Sequence, residues 1–173
     1  MENQKLSMDD LGRLSSDEFK ATKKNKIILV LDNIRSLNNV GSAFRTSDAF
    51  LIEAIYLCGV TGTPPNKDIE KTALGATETV TWKYFKTTNE AVAELKQQHY
   101  FIASVEQTKK SVMLNKFSKP TQPIAVIVGN EVYGVEQEII NSSDAIIEIP
   151  QFGSKHSLNV SVCIGIVLWE ILR

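Results

Sequence analysis

Three short stretches of this chain hold side chains able to grip and orient a polar ligand. Asn33, Asn38, Asn39 and Arg45 lie close together, Asn130 and Glu131 follow Gly129, and Ser157 and Asn159 come shortly after Gly153. Amides donate and accept, a carboxylate accepts, and a guanidinium donates through a planar fork. Such a set suits binding and positioning, and no Cys/His grouping has metal-ligand spacing. Two familiar phosphate cradles are excluded. No G-x-G-x-x-G follows the first expected strand, and Gly129-x-x-x-x-Gly134 has P-loop glycine spacing but Val135-Glu136 where Lys-Ser/Thr is required. Each polar residue also has an ordinary reading. Asn39 could be a helix cap, Arg45 a surface arginine, Asn130-Glu131 a turn and Ser157 the N-cap of the last helix.

The elements that must position these residues alternate between strand and helix. Short apolar runs at 27–31, 52–58, 100–105, 124–128 and 145–149 read as strands, the first and the two at 100–105 and 124–128 as buried ones, with an edge strand at 80–85. Helices are expected over 40–50, with Asn38 or Asn39 as N-cap, from a capping box at Thr87-x-x-Glu90 to about 98, over 135–142 and over 157–172. Residues 62–67, with Pro64-Pro65, read as a loop. The alternation indicates an α/β fold: a mainly parallel sheet with helices on both faces. Ligands then belong at the carboxyl ends of the strands, in the loops after Leu31, Ala103, Val128 and Ile149. Three of those four loops carry the polar residues named above, and that convergence on one sheet edge weakens the ordinary readings.

The first 26 residues read as an N-terminal helical appendage, with Ser7-x-x-Asp10 and Ser15-x-x-Glu18 as helix starts and Leu11, Leu14 and Phe19 as apolar contacts; residues 27–173 form the main domain. The last helix is apolar on nearly every side, so a second copy of the chain is its natural cover. A 43% hydrophobic, 23% charged composition is that of a globular protein. No run approaches a membrane span, and the polar start Met1-Glu2-Asn3-Gln4-Lys5 is unlike a signal peptide. Cys58 and Cys163 sit in apolar runs and are expected as buried free thiols in a cytoplasmic protein. The net charge of −1 opposes a nucleic-acid partner, but the charges are segregated. Residues 27–119 hold 11 Lys/Arg against 9 Asp/Glu, and residues 120–173 hold 2 against 6, so an RNA-facing surface would be built from the first two-thirds. Lys20, Lys23, Lys24 and Lys26 cluster just before the first strand.

Asn39-Val40-Gly41-Ser42-Ala43-Phe44-Arg45-Thr46 resembles the first motif of the SpoU (TrmH-like) family of RNA ribose methyltransferases, within the knotted SPOUT superfamily. Gly129-Asn130-Glu131-Val132-Tyr133-Gly134 looks like the second motif, and Ile149-Pro150 through Ser157-Leu158-Asn159-Val160 like the third. The match runs in order and register from about residue 27 to residue 173. Gln151 and Phe152 stand where smaller or more aliphatic residues are expected, and Lys155-His156 adds charge to that loop.

The resemblance implies a C-terminal trefoil knot, a homodimer, S-adenosylmethionine as cofactor and methyl transfer to a ribose 2′-hydroxyl of RNA. By that resemblance Arg45 faces the reacting nucleotide, either gripping the phosphate beside the target ribose or acting as general base. Asn39 would orient Arg45 or the RNA backbone, Glu131 would hold Arg45, and Ser157 and Asn159 would position cofactor and ribose. Ser104, Val105, Gly129, Asn130, Ile149, Gln151, Ser157 and Leu158 would hold the cofactor, largely through main-chain groups, with glycine wanted at 129 and 153 for close approach. Only about 26 residues precede the first strand, so a separate RNA-binding domain is not expected, which favours a compact transfer RNA over ribosomal RNA. Two alternatives remain: a non-catalytic RNA-binding or assembly module on the same fold, and a base-nitrogen methyltransferase with Asp32 or Asp48 as base.

Overall fold

The computed structural model describes residues 3–7 and 9–173; Met1 and Glu2 of the polar start, and Met8, lie outside the described residues. Seven strands, β1 (Asn25–Asp32), β2 (Ile52–Cys58), β3 (Trp82–Phe85), β4 (Phe101–Val105), β5 (Val112–Met113), β6 (Ile124–Val128) and β7 (Ala145–Glu148), form one sheet in the order β3-β2-β1-β6-β4-β7-β5. Every pairing is parallel. Side chains of β1 alternate between the faces. Ile27, Leu29 and Leu31 enter one apolar cluster, Ile28 and Val30 the other, as a period of two requires.

Helices cover both faces. Val40, Ala43 and Phe44 of α2 (Leu37–Ala49), Ile69 and Ala73 of α3 (Lys67–Ala73) and Ile164, Val167 and Leu168 of α7 (Val160–Leu172) fill the first cluster. Ala91, Val92 and Leu95 of α5 (Thr88–Gln97) and Ile139 of α6 (Gln137–Ser142) fill the second. Burying each large aliphatic side chain stabilises the fold by about 1.5–3 kcal/mol. The expected α/β fold is therefore present, as a fully parallel sheet.

Register and strand order set up the functional edge. Leu31 of β1 pairs with Leu57 and with Val128, Val128 pairs with Val105, and Val105 pairs with Ile147. These positions form one row, so the loops after β1, β6, β4 and β7 leave the sheet side by side. Because β6 lies between β1 and β4, the loop that carries Glu131 has the β1 loop on one flank and the β4 loop on the other.

Several boundaries differ from the sequence reading. Helix α2 starts at Leu37 with Ser36 as N-cap, so neither Asn38 nor Asn39 caps it. Helix α7 starts at Val160 with Asn159 as N-cap, not Ser157. Two helices, α3 and α4 (Ala76–Thr79), follow the 62–67 loop, and the side chain of Asn66 caps the first. Their periodicity is too short to stand out. Strand β5 has two residues, both exposed, too few to show a period.

Near the N-terminus Ser15 and Glu18 form the expected reciprocal capping box on α1 (Ser16–Ala21). Its Phe19 is buried in the core of the main body, whereas Leu11 and Leu14 stay exposed. Helix α7 leaves Val162, Ile166 and Trp169 exposed, Trp169 to 62%. No helix among the described residues is long and apolar enough to cross a membrane.

Candidate functional site

Asn130 builds the centre of the site. Its Oδ1 accepts from the amides of Val132 (2.8 Å) and Tyr133 (3.2 Å), and its Nδ2 donates to the carbonyl of Asn33 (2.7 Å). Its main chain exchanges two hydrogen bonds with Gly134. The turn reading of Asn130-Glu131 is thus fulfilled, and the turn pins the β6 loop to the β1 loop. Glu131 then projects over the start of α2. Its carboxylate accepts from the amides of Arg35 and Ser36 (both 3.1 Å) and from Nδ2 of Asn39 (3.0 Å). Asn39 in turn accepts at Oδ1 from Nδ2 of Asn159 (3.3 Å), whose own Oδ1 caps α7 at the amide of Ser161 (2.9 Å). Burial presses the Glu131 pKa upward, but the amides of Arg35, of Glu131 itself and of Ser36, with the Asn39 side chain, outweigh it and hold the carboxyl below its ordinary value.

Beside this chain lies a cavity of about 840 Å³, within the ~300–1,000 Å³ range of small-ligand sites. Of the residues expected to hold a cofactor, Val105, Gly129, Asn130, Ile149, Gln151, Ser157 and Leu158 line it, together with Glu131 and Asn159. Ser104 does not. It is fully buried in β4, its hydroxyl 2.8 Å from that of Ser143, and the wall from that loop is instead Val105, Glu106 and Gln107. Gln107 Nε2 also donates to the carbonyl of His156 (3.2 Å), tying the β4 loop to the β7 loop.

Gly129 is needed for a different reason from the one expected. A Cβ there would meet the carbonyl carbon of Gly134 and the amide of Val135, both at 2.1 Å, so the chain's own turn demands glycine. At Gly153 a Cβ would meet nothing within 4 Å. The walls suit the cofactor that the motifs imply: Val105, Val128, Ile147, Ile149 and Leu158 offer an apolar bed for a purine, and Gln107, Ser157 and the carboxylates offer polar partners.

Arg45 does not join this cluster within the chain. It lies on the exposed side of α2, in line with Asn38, and among the described residues it makes no ion pair. Glu131 therefore holds Asn39 and two main-chain amides, not Arg45. Of the four lysines before β1, Lys24 is tied to the carbonyls of Phe19 and Thr22, and Lys26 pairs with Glu53 at 2.7 Å.

Asp32 and Asp48 are poor candidates for a base. Asp32 is fully buried, with its carboxylate accepting from Thr88 (2.5 Å), Asn33 (2.9 Å) and the amide of Glu136 (3.1 Å). Asp48 accepts from Thr79 at 2.6 Å on the far part of α2. Cys58 is buried and Cys163 half-buried, both free. Sequence reasoning missed Glu106, Gln107, Glu136, Glu148 and Cys163 as lining residues. The strand-end rule pointed to the loop holding Glu106, but that loop contains no recognised motif.

A parallel α/β domain with a cofactor-sized cavity over its strand ends, walled by three loops, has the form of a small-ligand-binding α/β fold. A family model described as the SpoU rRNA Methylase family matches residues 26–169, and the chain belongs to that family. The 23S rRNA (guanosine-2′-O-)-methyltransferase RlmB of Haemophilus influenzae is 31% identical over 166 residues, which cover 95% of this chain and 66% of that protein. The crystal structure of the Aquifex aeolicus TrmH/SpoU tRNA modifying enzyme superposes with a TM-score of 0.79 at 30% identity, covering 88% of this chain and 77% of the other. The AdoMet-bound rRNA methyltransferase from Sinorhizobium meliloti shares the fold, with a TM-score of 0.80 at 23% identity over 88% of this chain and 59% of the other. The chain spans just under two-thirds of the length of curated relatives such as RlmB.

Proposed function

We propose that this chain is an S-adenosylmethionine-dependent RNA methyltransferase that modifies a ribose 2′-hydroxyl. The observation that carries the reading is the hydrogen-bonded chain Glu131–Asn39–Asn159, which links all three family motifs at the edge of the cofactor-sized cavity. When bound, S-adenosylmethionine supplies an electrophilic methyl group. The protein's task is then to place the 2′-oxygen in line with that methyl group and to help remove one proton.

Roles follow from position. Asn39 and Asn159, fixed by Glu131 and by the start of α7, orient the ribose at the cavity rim. Ser157 lies in the exposed lining loop and offers a hydroxyl to the ribose or the cofactor. Arg45, with a guanidinium unpaired among the described residues, grips the phosphate next to the target ribose through its planar fork. An arginine pKa above ~12 makes shared activation with that phosphate the better reading than a free arginine base. Residues 1–26 act as an appendage and 27–173 as the catalytic domain, with the threaded C-terminal part that the family resemblance implies.

The exposed apolar face of α7 supports a homodimer, since Val162, Ile166 and Trp169 need cover. Transfer RNA is proposed ahead of ribosomal RNA, and the cytoplasm as the compartment. The likeness to the Aquifex aeolicus TrmH/SpoU tRNA modifying enzyme, at 30% identity, supports the transfer RNA reading. The carboxylate of Asp32, fully buried and already accepting three hydrogen bonds, weighs against the base-nitrogen alternative.

The test is incubation of the purified chain with radiolabelled cofactor and, separately, transfer and ribosomal RNA, followed by digestion to nucleosides and mass spectrometry. A 2′-O-methylnucleoside is expected. Cofactor binding without transfer to either RNA would favour the non-catalytic module, and a base-methylated nucleoside would overturn the ribose assignment.

A further inference from the structure

We infer that the cavity reads the positive charge of its ligand through Glu106, and so favours the sulfonium cofactor over its demethylated thioether product. The inference rests on the cofactor reading above. The cavity lining includes Glu106, Glu131, Glu136 and Glu148, and neither a lysine nor an arginine. Such walls repel phosphate and attract a cation. The carboxylates do not converge as metal ligands do: among the described residues no group of three His, Cys, Asp or Glu could hold a metal ion. The charge is spread along the walls, which suits an organic cation.

Three of the four glutamates are engaged by groups of neighbouring loops. Glu131 accepts from Arg35, Ser36 and Asn39, Glu136 accepts from Nδ2 of Asn33 (2.9 Å), and Glu148 accepts from the hydroxyl of Ser111 (2.5 Å). Glu106 is held by two main-chain amides, both of residues that line the cavity. Its Oε2 accepts from Val135 (3.0 Å) and its Oε1 from Gln107 (2.8 Å). A carboxylate oxygen has two lone pairs, so each keeps one for a ligand. The carboxylate packs against Gly134, at φ +70°: a Cβ there would lie 2.1 Å from Oε2 of Glu106 and push it aside. Cys163, another lining residue, feels the same charge, its thiol being pushed up to about 11 first by burial and then by Glu106.

S-adenosylmethionine carries a sulfonium and an ammonium against one carboxylate, whereas S-adenosylhomocysteine lacks the sulfonium. A carboxylate fixed in the cavity therefore stabilises the loaded cofactor more than the spent one, which helps the product leave.

Calorimetric titration of the full chain with each compound, in the unaltered protein and in Glu106→Gln, tests this. Glutamine keeps a carbonyl oxygen for the Val135 amide, so the loop can hold its shape. The cofactor should bind about tenfold more weakly to the variant, with product binding changed less than about twofold. Equal weakening of both would make Glu106 a brace for the 129–135 turn and overturn the charge reading, as would no change. Should the variant fail a thermal melt, the unaltered protein decides. Raising salt from about 0.1 to 1 M should weaken the cofactor several-fold and leave the product nearly unchanged; parallel behaviour overturns the inference. If the unaltered chain binds neither compound, the cofactor assignment itself fails. If it binds both and only the Glu106 and salt results fail, the charge reading alone is lost.

Discussion

Asn39 Nδ2 donates to Glu131 Oε1 over 3.0 Å, joining residues 92 positions apart in the chain. The bond exists because Ser36, not Asn39, caps α2, which leaves the Asn39 amide free to face the β6 loop. Removing either partner should therefore disturb the rim of the cavity more than its floor. Asn39→Ala and Glu131→Ala should each slow single-turnover methyl transfer by about 10–100-fold, in keeping with the loss of a charged hydrogen bond. Cofactor affinity, read by calorimetry, should change less than about threefold. A loss seen only in cofactor affinity would move the pair from positioning to binding.

Acid should loosen the same junction. The Glu131 carboxyl is held below its ordinary value of 4.5, so it adds stability above that value and the contribution is lost as pH falls through the lower folded value. Hydrogen exchange at the amides of Arg35 and Ser36 should accelerate as pH drops from about 5 to below 4, beyond the intrinsic pH dependence of exchange. Glu131→Gln should flatten this extra dependence. An identical profile in the variant would show that another group controls the junction.

Glycines 129 and 153 should respond oppositely to alanine. Gly129→Ala forces a Cβ into the main chain of Gly134 and Val135, and should cost about 1–3 kcal/mol in chemical denaturation while weakening the cofactor. Gly153→Ala meets open space and should leave the denaturation midpoint unchanged. Equal stability of the two variants would contradict the tight turn.

Arg45 is exposed, so its replacement should not affect folding. Arg45→Ala should reduce methylation at least about a hundredfold, and Arg45→Lys should restore little because a lysine lacks the bidentate fork. Near-normal activity of Arg45→Lys would remove both the phosphate-clamp and the base assignments.

Trp169 should report on the proposed dimer. Trp169→Glu places a charge on the exposed face of α7, and sedimentation should shift from dimer to monomer with thermal stability of the protomer little altered. A variant that still sediments as a dimer would place the interface elsewhere.

Much of this was readable from the residues alone. Continuous apolar runs identify the buried strands because both sheet faces are covered, and a ladder of main-chain hydrogen bonds needs no particular side chain. The second and third motifs could be placed on loops because their glycines and asparagines break both periodicities, whereas Asn39 and Arg45 of the first lie within α2. Those are local properties, so one dimension is enough to show them. Tertiary structure alone decided which polar groups meet. The insertion of β6 between β1 and β4 puts Glu131 against Asn39, buries Asp32 under the amide of Glu136, and brings Glu106 to the Val135 amide. It also leaves Arg45 on the solvent side of α2, unpaired with the carboxylate that the family resemblance suggested as its partner. Hydrogen bonds across such distances are set by strand order and register, and a linear pattern of residue types carries no record of either.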